Sequence, residues 1–246
     1  MTFRQIEMEI MATFVINYVV TWTRVSADLN ANIDAMQFGL VYGIATAVFV
    51  LLCYPECRCH FTPILTIADC LWKRLDLKTG LILLFSQFIG CFVSSTFVIV
   101  ALNDRQKEYL SSRYSLGHSH IEPPFSAWNG FWVELLFSSL LVFAFLELSR
   151  PAPAERGKYW VDYYAAARGL VVLLASLAGE SISEVSLNPF AVLSGSVLAQ
   201  KLLANQWVYY VGPLFGIAIG GLLHHRDVLG RAYNEFKQPY DSRNSI

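Results

Sequence analysis

Val185-Ser186-Leu187-Asn188-Pro189-Phe190-Ala191-Val192 has a counterpart about half a chain earlier, Cys59-His60-Phe61-Thr62-Pro63-Ile64-Leu65-Thr66. Each box follows a long apolar run and is itself too apolar for an ordinary surface loop. Proline suits the first turn of a helix, where its missing N–H would be unpaired anyway. The pattern predicts two short helices, starting at Pro63 and Pro189, whose positive N-terminal ends enter the membrane. Irregular backbone at that depth survives only where protein buries it or where it lines a wet cavity. A duplicated box of this kind therefore predicts a pore.

Working outward, the 246 residues are 55% hydrophobic and only 15% charged, against about 25% charged in a soluble domain. Apolar runs cover about 5–24, 36–55, 80–102, 129–147, 165–182 and 206–224, and roughly 20 residues are enough to span a bilayer. The fold class expected is all-α integral membrane, with six transmembrane helices plus two re-entrant half-helices. The first run starts with Glu7 and Glu9 and has no basic cluster beyond Arg4, so it reads as a retained helix rather than a cleaved signal. With both termini on one face, that face collects 13 of the 18 Lys and Arg residues and the other collects 5. Arg24 is counted with the second group and Arg168 with the first. The positive-inside bias makes both termini cytosolic. A net charge of −1 gives no reason to expect nucleic acid; the partner is the lipid bilayer.

The two halves repeat. Glu9 and Glu134 each sit early in an apolar run, followed four residues later by a hydroxyl, Thr13 or Ser138. Phe38-Gly39-Leu40 matches Arg168-Gly169-Leu170, and Gln87-Phe88-Ile89-Gly90 matches Gly212-Pro213-Leu214-Phe215-Gly216. Three spans is an odd number, so the second half enters from the opposite face as an inverted 3+3 repeat. In such folds the solute path lies where the broken segments meet. Repeat one covers about 5–102, a linking loop 103–127, repeat two about 128–225, and a polar C-terminal tail 226–246. The tail is expected to be disordered or to dock on a partner. A carboxylate in lipid is functional or paired. Glu9 and Glu134 are expected to accept N–H groups from the box loop of their own half, with proton transfer as the alternative. Glu180 is read as lying at the pore mouth or facing water. Gly39, Gly43, Gly212, Gly216 and Gly220 read as close-packing positions between helices.

On these residues the chain resembles the aquaporin, or major intrinsic protein, family. Trp207 to Gly216 is similar to the family's sixth helix, Leu187-Asn188-Pro189 to its second box, and His60-Phe61-Thr62-Pro63 to its first box with the preceding histidine. The likeness covers roughly residues 5–225. It implies two half-helices meeting at the centre of a six-helix bundle, a homotetramer with one pore per subunit, and water, glycerol or another small neutral solute as cargo. It also implies a central narrowing with two asparagines and an outer filter of aromatic residues plus an arginine.

Both narrowings are altered. The first box has Thr62 for the family asparagine, and a hydroxyl donates one hydrogen bond where an amide donates two. Asn188 is retained. Ile64 and Phe190 replace small third-position residues; they narrow or close the pore, or Phe190 lies in the protein core. The outer-filter positions align with Phe38, Ser176, Val185 and Ala191. Ala191 stands where the arginine would be, and no Arg or Lys near it in sequence replaces that charge. A wider, less polar filter with relaxed selectivity is expected, because the half-helix dipoles still oppose cations. These departures resemble the unorthodox superaquaporins and, loosely, the small basic intrinsic proteins, which favours an intracellular membrane. The alternative is a non-conducting scaffold, or a subunit of a larger membrane complex, plugged at Phe190 and Ile64.

The remaining clusters read blandly. Cys53, Cys57, Cys59, His60 and Cys70 hold zinc-type ligands, but at irregular spacing, so reduced thiols and no metal are expected. His118 and His120 read as a solvated loop, with a pH sensor as the alternative. His224 and His225 read as a membrane-edge anchor. Trp128, Trp132, Tyr159, Trp160, Tyr163 and Tyr164 read as aromatic belts. No phosphate loop, nucleophile set or catalytic carboxylate pair is present, so neither an enzyme nor a cofactor is expected.

Overall fold

The computed structural model describes residues 2–30, 33–54, 56–112, 118–121, 123–149, 159–200 and 204–241, with side chains up to 226 in the last helix. Tyr114 and the basic residues Arg113, Arg150, Arg156, Lys158, Lys201 and Arg243 lie outside the described residues. Among those described there are helices only: α1 (Phe3–Asn30), α2 (Ala35–Cys53), α3 (Pro63–Leu71), α4 (Leu77–Ala101), α5 (Asp104–Ser112), α6 (Ala127–Leu148), α7 (Trp160–Ser183), α8 (Pro189–Leu198) and α9 (Val208–Asp241).

Six helices are long, and α3 and α8 are the half-helices. Both half-helices begin at the prolines of the boxes, with Thr62 and Asn188 as N-caps. The helices outside the boxes use ordinary caps. Asp34, Asp76 and Ser126 accept the N–H groups of Gln37, Thr79 and Asn129 at the starts of α2, α4 and α6, which satisfies donors that a helix start leaves open. The segments α2, α4, α6 and α7 are long and apolar enough to cross a membrane on hydropathy alone. The 28 residues of α1 rise about 42 Å, enough for a hydrocarbon core of about 30 Å, although the helix carries Glu9 and Arg24.

Helices pack in three long pairs, α1 on α4, α2 on α7 and α6 on α9. The α2–α7 pair meets backbone to backbone. A Cβ at Gly43 would stand 2.7 Å from the Gly169 carbonyl, and one at Gly169 would stand 2.6 Å from the Gly43 carbonyl. The other two pairs repeat one device. Gly90 lies against Thr13 and the Ile10 carbonyl, and Gly216 against Ser138 and the Leu135 carbonyl. The β-carbon of the residue four after each buried glutamate, Thr13 or Ser138, thus packs against the glycine of its own half.

The bundle buries polar side chains within an apolar core and exposes apolar ones. Glu9, Asn17, Gln87, Glu134 and Arg168 are buried, while Ile44, Phe85, Leu136, Leu170 and Leu222 are exposed. Trp128, Trp132, Tyr159 and Tyr163 are exposed near helix ends, but Tyr164 is fully buried, because its ring lies under Arg168.

Four expectations change. The linking loop contains α5, held by Leu110 against Val25, Val98 and Leu102. That contact also carries α1 past its apolar run. In place of a loose polar tail, α9 continues as helix to Asp241. Arg24 and Arg168 are not loop charges but buried members of α1 and α7; removing one from each face leaves the charge bias as it was. His224 is buried, with Nδ1 2.7 Å from Glu147 Oε1, so it ties α9 to α6 rather than anchoring at the interface.

Candidate functional site

The site is built where the two box loops meet. Just before each N-cap the backbone turns left-handed, with φ 59° at Phe61 and 49° at Leu187. That conformation is costly for bulky side chains and persists only where surrounding structure imposes it. The two boxes also hold each other. Thr62 Oγ1 donates to the Leu187 carbonyl at 2.8 Å, and Asn188 Nδ2 lies 3.4 Å from the Phe61 carbonyl. Asn188 Oδ1 accepts the Phe190 N–H at 3.2 Å and so caps α8. The single Thr62 hydroxyl proton is therefore spent on the opposite loop, while the Asn188 amide, whose contacts to the Phe61 carbonyl and to Cys91 Sγ are both 3.4 Å, is the more loosely held donor of the boxes.

The buried carboxylates brace these loops. Glu9 Oε1 accepts the Phe61 N–H at 2.6 Å and Gln87 Nε2 at 2.8 Å. Glu134 Oε1 accepts the Ser186 N–H at 2.9 Å and the Ser183 hydroxyl at 3.4 Å. Each carboxyl thus takes up an N–H group that a buried loop would otherwise leave unpaired. Each loop is also gripped from the second long helix of the other half. Tyr42 on α2 donates to the Ser186 carbonyl at 2.9 Å. Arg168 on α7 donates to the carbonyls of Cys59 and His60.

On one side of the boxes lies a small cavity of about 20 Å³, between Asn17, Thr21, Tyr42, His118, Asn188 and Ala191. That is room for about one or two water molecules. Beyond it, towards the ends of α1 and α7, a hollow of about 210 Å³ opens between Asp28, Phe38, Glu180 and Glu184. Of the aligned filter positions, Ala191 lines the cavity and Phe38 the hollow. Ser176 and Val185 are fully buried, and the Ser176 hydroxyl is tied to the Val172 carbonyl at 3.0 Å. The cation at this level is Arg24, reaching across from α1. Its Nη2 lies 2.6 Å from the Glu184 carbonyl, and its Nε lies 3.3 Å from Glu180 Oε1. A search of the sequence around Ala191 misses it because it comes from another helix. Glu180, left between pore mouth and water by the sequence, is its ion-pair partner.

His118 and His120 are buried, contrary to the solvated-loop reading. The His118 ring seats on Gly195, where an added Cβ would stand 2.0 Å from it. The His120 N–H donates to Glu184 Oε2 at 3.1 Å. Burial, and then the Arg24 charge, push His118 down to about 4.

On the opposite side of the boxes an open hollow of about 520 Å³ is lined by Tyr54, Cys57, Arg58, Asp69, Arg74 and Tyr164. His60 sits beneath it, with Nε2 3.1 Å from Asp69 Oδ2 and Nδ1 3.0 Å from the Thr66 hydroxyl. Arg58 and Arg74 bind the same aspartate. Cys57 and Cys59 sulfurs stand 3.7 Å apart. Arg168 lies deeper, with the rings of Phe61, Phe145 and Tyr164 around its guanidinium.

Phe190 and Ile64 face elsewhere. Together with Pro63, Pro189 and Tyr210 they line a separate apolar cavity of about 190 Å³ beside α9, and the Phe190 ring packs edge-on against Phe88 at 5.7 Å.

Sequence reading passed over Arg24, Asn17, Tyr42 and Arg168. The available signal was a polar or charged residue inside an apolar run, which marks a site by default. Asn17 Nδ2 donates to Ser94 Oγ at 2.9 Å and its residue lines the cavity.

An inverted pair of half-helices inside six long helices, with hollows on either side of the point where they meet, defines a membrane channel fold. The comparisons agree. The profile of the major intrinsic protein family matches residues 1–224, and the chain belongs to that family of channels for water or solutes. It is 24% identical to Aquaporin A of Dictyostelium discoideum over 83% of this chain and 70% of that protein. It is 26% identical to Aquaporin PIP2-4 of Oryza sativa subsp. japonica over 96% of this chain and 86% of that one. The X-ray structure of the aquaglyceroporin from Plasmodium falciparum superposes with a TM-score of 0.74 at 19% identity, covering 90% of this chain and 94% of that one.

Proposed function

We propose that this chain is a passive channel for water and small uncharged solutes such as glycerol, one pore per subunit of a homotetramer. The observation that carries this is the cavity at the Asn188 box. It carries polar groups beside apolar ones, it has room for about one or two waters, and it lies between helices of both halves. Asn188 offers the donor that orients solute, and Thr62 holds the opposite loop in register. Phe38 and Ala191 set the bore at the outer end, with Ser176 and Val185 as the packing behind them. The relaxed selectivity expected from Ala191 is tempered by Arg24, so water passes more readily than glycerol in this reading. The altered boxes favour a superaquaporin-like member in an intracellular membrane, with both termini cytosolic.

A second reading is favoured by Arg168. A fully enclosed guanidinium on the Cys59 and His60 carbonyls fits a closed inner half, as in a scaffold or a subunit of a larger membrane complex. Stopped-flow light scattering on proteoliposomes separates the two. Under the channel reading, wild type shrinks faster than empty vesicles in a water gradient. Ala191→Leu, which fills a cavity of about 20 Å³, brings the rate back to that of empty vesicles. Folded wild type that matches empty vesicles favours the scaffold.

A further inference from the structure

Between the outer hollow and the cavity at the boxes stands one side chain that lines both, Arg24. Its guanidinium is fixed from every side. The Phe38 ring on α2 lies 4.5 Å from it. Glu180 on α7 takes Nε at 3.3 Å and Nη2 at 3.4 Å. The carbonyls of Glu184 and Val185, in the second box loop, take Nη2 at 2.6 and 3.2 Å. Ser119, in the linking loop, takes Nη1 at 2.8 Å. Four separate parts of the fold thus converge on one planar cation with only 7% of its surface exposed.

We propose that Arg24 is the outer constriction of the pore and the residue that discriminates there by size and charge. This rests on the channel reading above. A guanidinium has five N–H donors. Nε–H and both Nη2 hydrogens are taken up by Glu180 and the loop carbonyls, and one Nη1 hydrogen goes to Ser119. The second Nη1 hydrogen has no partner among the described residues and is available to a passing water or hydroxyl. With so many partners the group cannot swing aside as a surface arginine does, so the bore beside it is fixed. A cation in the outer hollow is met first by the carboxylates of Asp28, Asp34, Glu180 and Glu184 that line it. The barrier lies at the step past the fixed Arg24 guanidinium into the cavity, where Arg24 is the charged side chain of the lining. Glu180 offsets part of that charge but lies on the far side of the guanidinium from the cavity: it lines the outer hollow and not the cavity itself.

Nothing in the local sequence assigns this role. Arg24 ends the apolar run of the first span, and its hydrogen-bond partners lie 95 to 161 residues away. The side chain is an arginine supplied by the first long helix, not by the second half-helix, whose residue at this level is Ala191.

The test uses the full chain in proteoliposomes, with three readouts: water shrinkage, glycerol uptake, and proton leak followed by an entrapped pH dye. The variants are Arg24→Ala, Arg24→Lys, and the double Arg24→Gln with Glu180→Gln. The double variant removes both charges, so that no lone buried carboxylate unfolds the protein. Losing one charged donor and its bulk should raise the glycerol-to-water ratio about tenfold in Arg24→Ala and in the double variant, with a proton leak appearing. Arg24→Lys keeps the charge without the fork, and should raise glycerol while still rejecting protons. Wild type that is silent beside a conducting double variant also supports the constriction, closed at rest. A double variant that conducts water with the wild-type ratio and no leak overturns the proposal and reduces Arg24 to an ion-pair brace. If wild type and double variant, both folded, match empty vesicles, the channel reading fails and the constriction fails with it.

Discussion

His118 shows how a single residue's environment becomes a measurable property. It is buried against Gly195, beside the cavity and near Arg24, and its Nε2 has no partner among the described residues. Burial and the Arg24 charge both disfavour imidazolium, so it stays neutral down to about 4, against an ordinary value of 6.5. Between those values the unfolded chain binds a proton that the folded chain refuses. The contribution to stability is therefore complete above pH 6.5, and it is lost as pH falls towards 4. The loss amounts to up to about 3 kcal/mol. Thermal unfolding in detergent from pH 7 down to pH 4 should show this loss in wild type and a flatter profile in His118→Gln. Identical profiles would mean that the ring is protonated in the fold.

At the scale of elements, close approach of the long helices is what lets two half-helices fit inside. Without a hydrophobic drive between helices in lipid, contact rests on small residues. The α2–α7 contact tests this. Gly43→Val places a β-carbon 2.7 Å from the Gly169 carbonyl, and backbone cannot move aside as a side chain would. The helices must separate, at a cost of about 2 kcal/mol or more. Ile44→Val, one residue on and facing outward, should change stability by less than about 0.5 kcal/mol. Detergent melts of the pair check the contrast, and equal melting of the two would remove the glycine contact from the account.

At the scale of the whole molecule, six long helices among the described residues predict that the two ends emerge on one face. Lys and Arg are concentrated on that face in the sequence, and the positive-inside bias predicts that it is cytosolic. An epitope tag at either end should be cut by protease only when the cytosolic side is opened. A tag cut from the outside reverses the orientation, and with it the assignment of the Arg24 hollow as the outer mouth. The exposed apolar faces of α2 and α7, with Leu40, Ile44 and Leu170, suit lipid or neighbouring subunits equally, which is why the tetramer stays an inference from resemblance.

Much of this was legible in the chain because it is written locally. Apolar length fixes a span, a proline after a turn fixes a helix start, and Glu9 with Thr13 against Glu134 with Ser138 betrays the repeat within four residues. The half-helices begin at Pro63 and Pro189 for that reason. Other features depend on which surfaces meet. Thr62 looked like a pore donor, but its one proton is held by Leu187 from the other half. Phe190 read as a plug or as a core residue, and it packs on Phe88 beside another cavity. Ala191 brings no charge to the cavity it lines, and the arginine that shares this lining is Arg24, 161 residues from the Val185 carbonyl it binds. Periodicity reports which face of a helix is buried. It does not report what that face is buried against, and the chemistry of a pore is set by side chains from several helices converging on one volume.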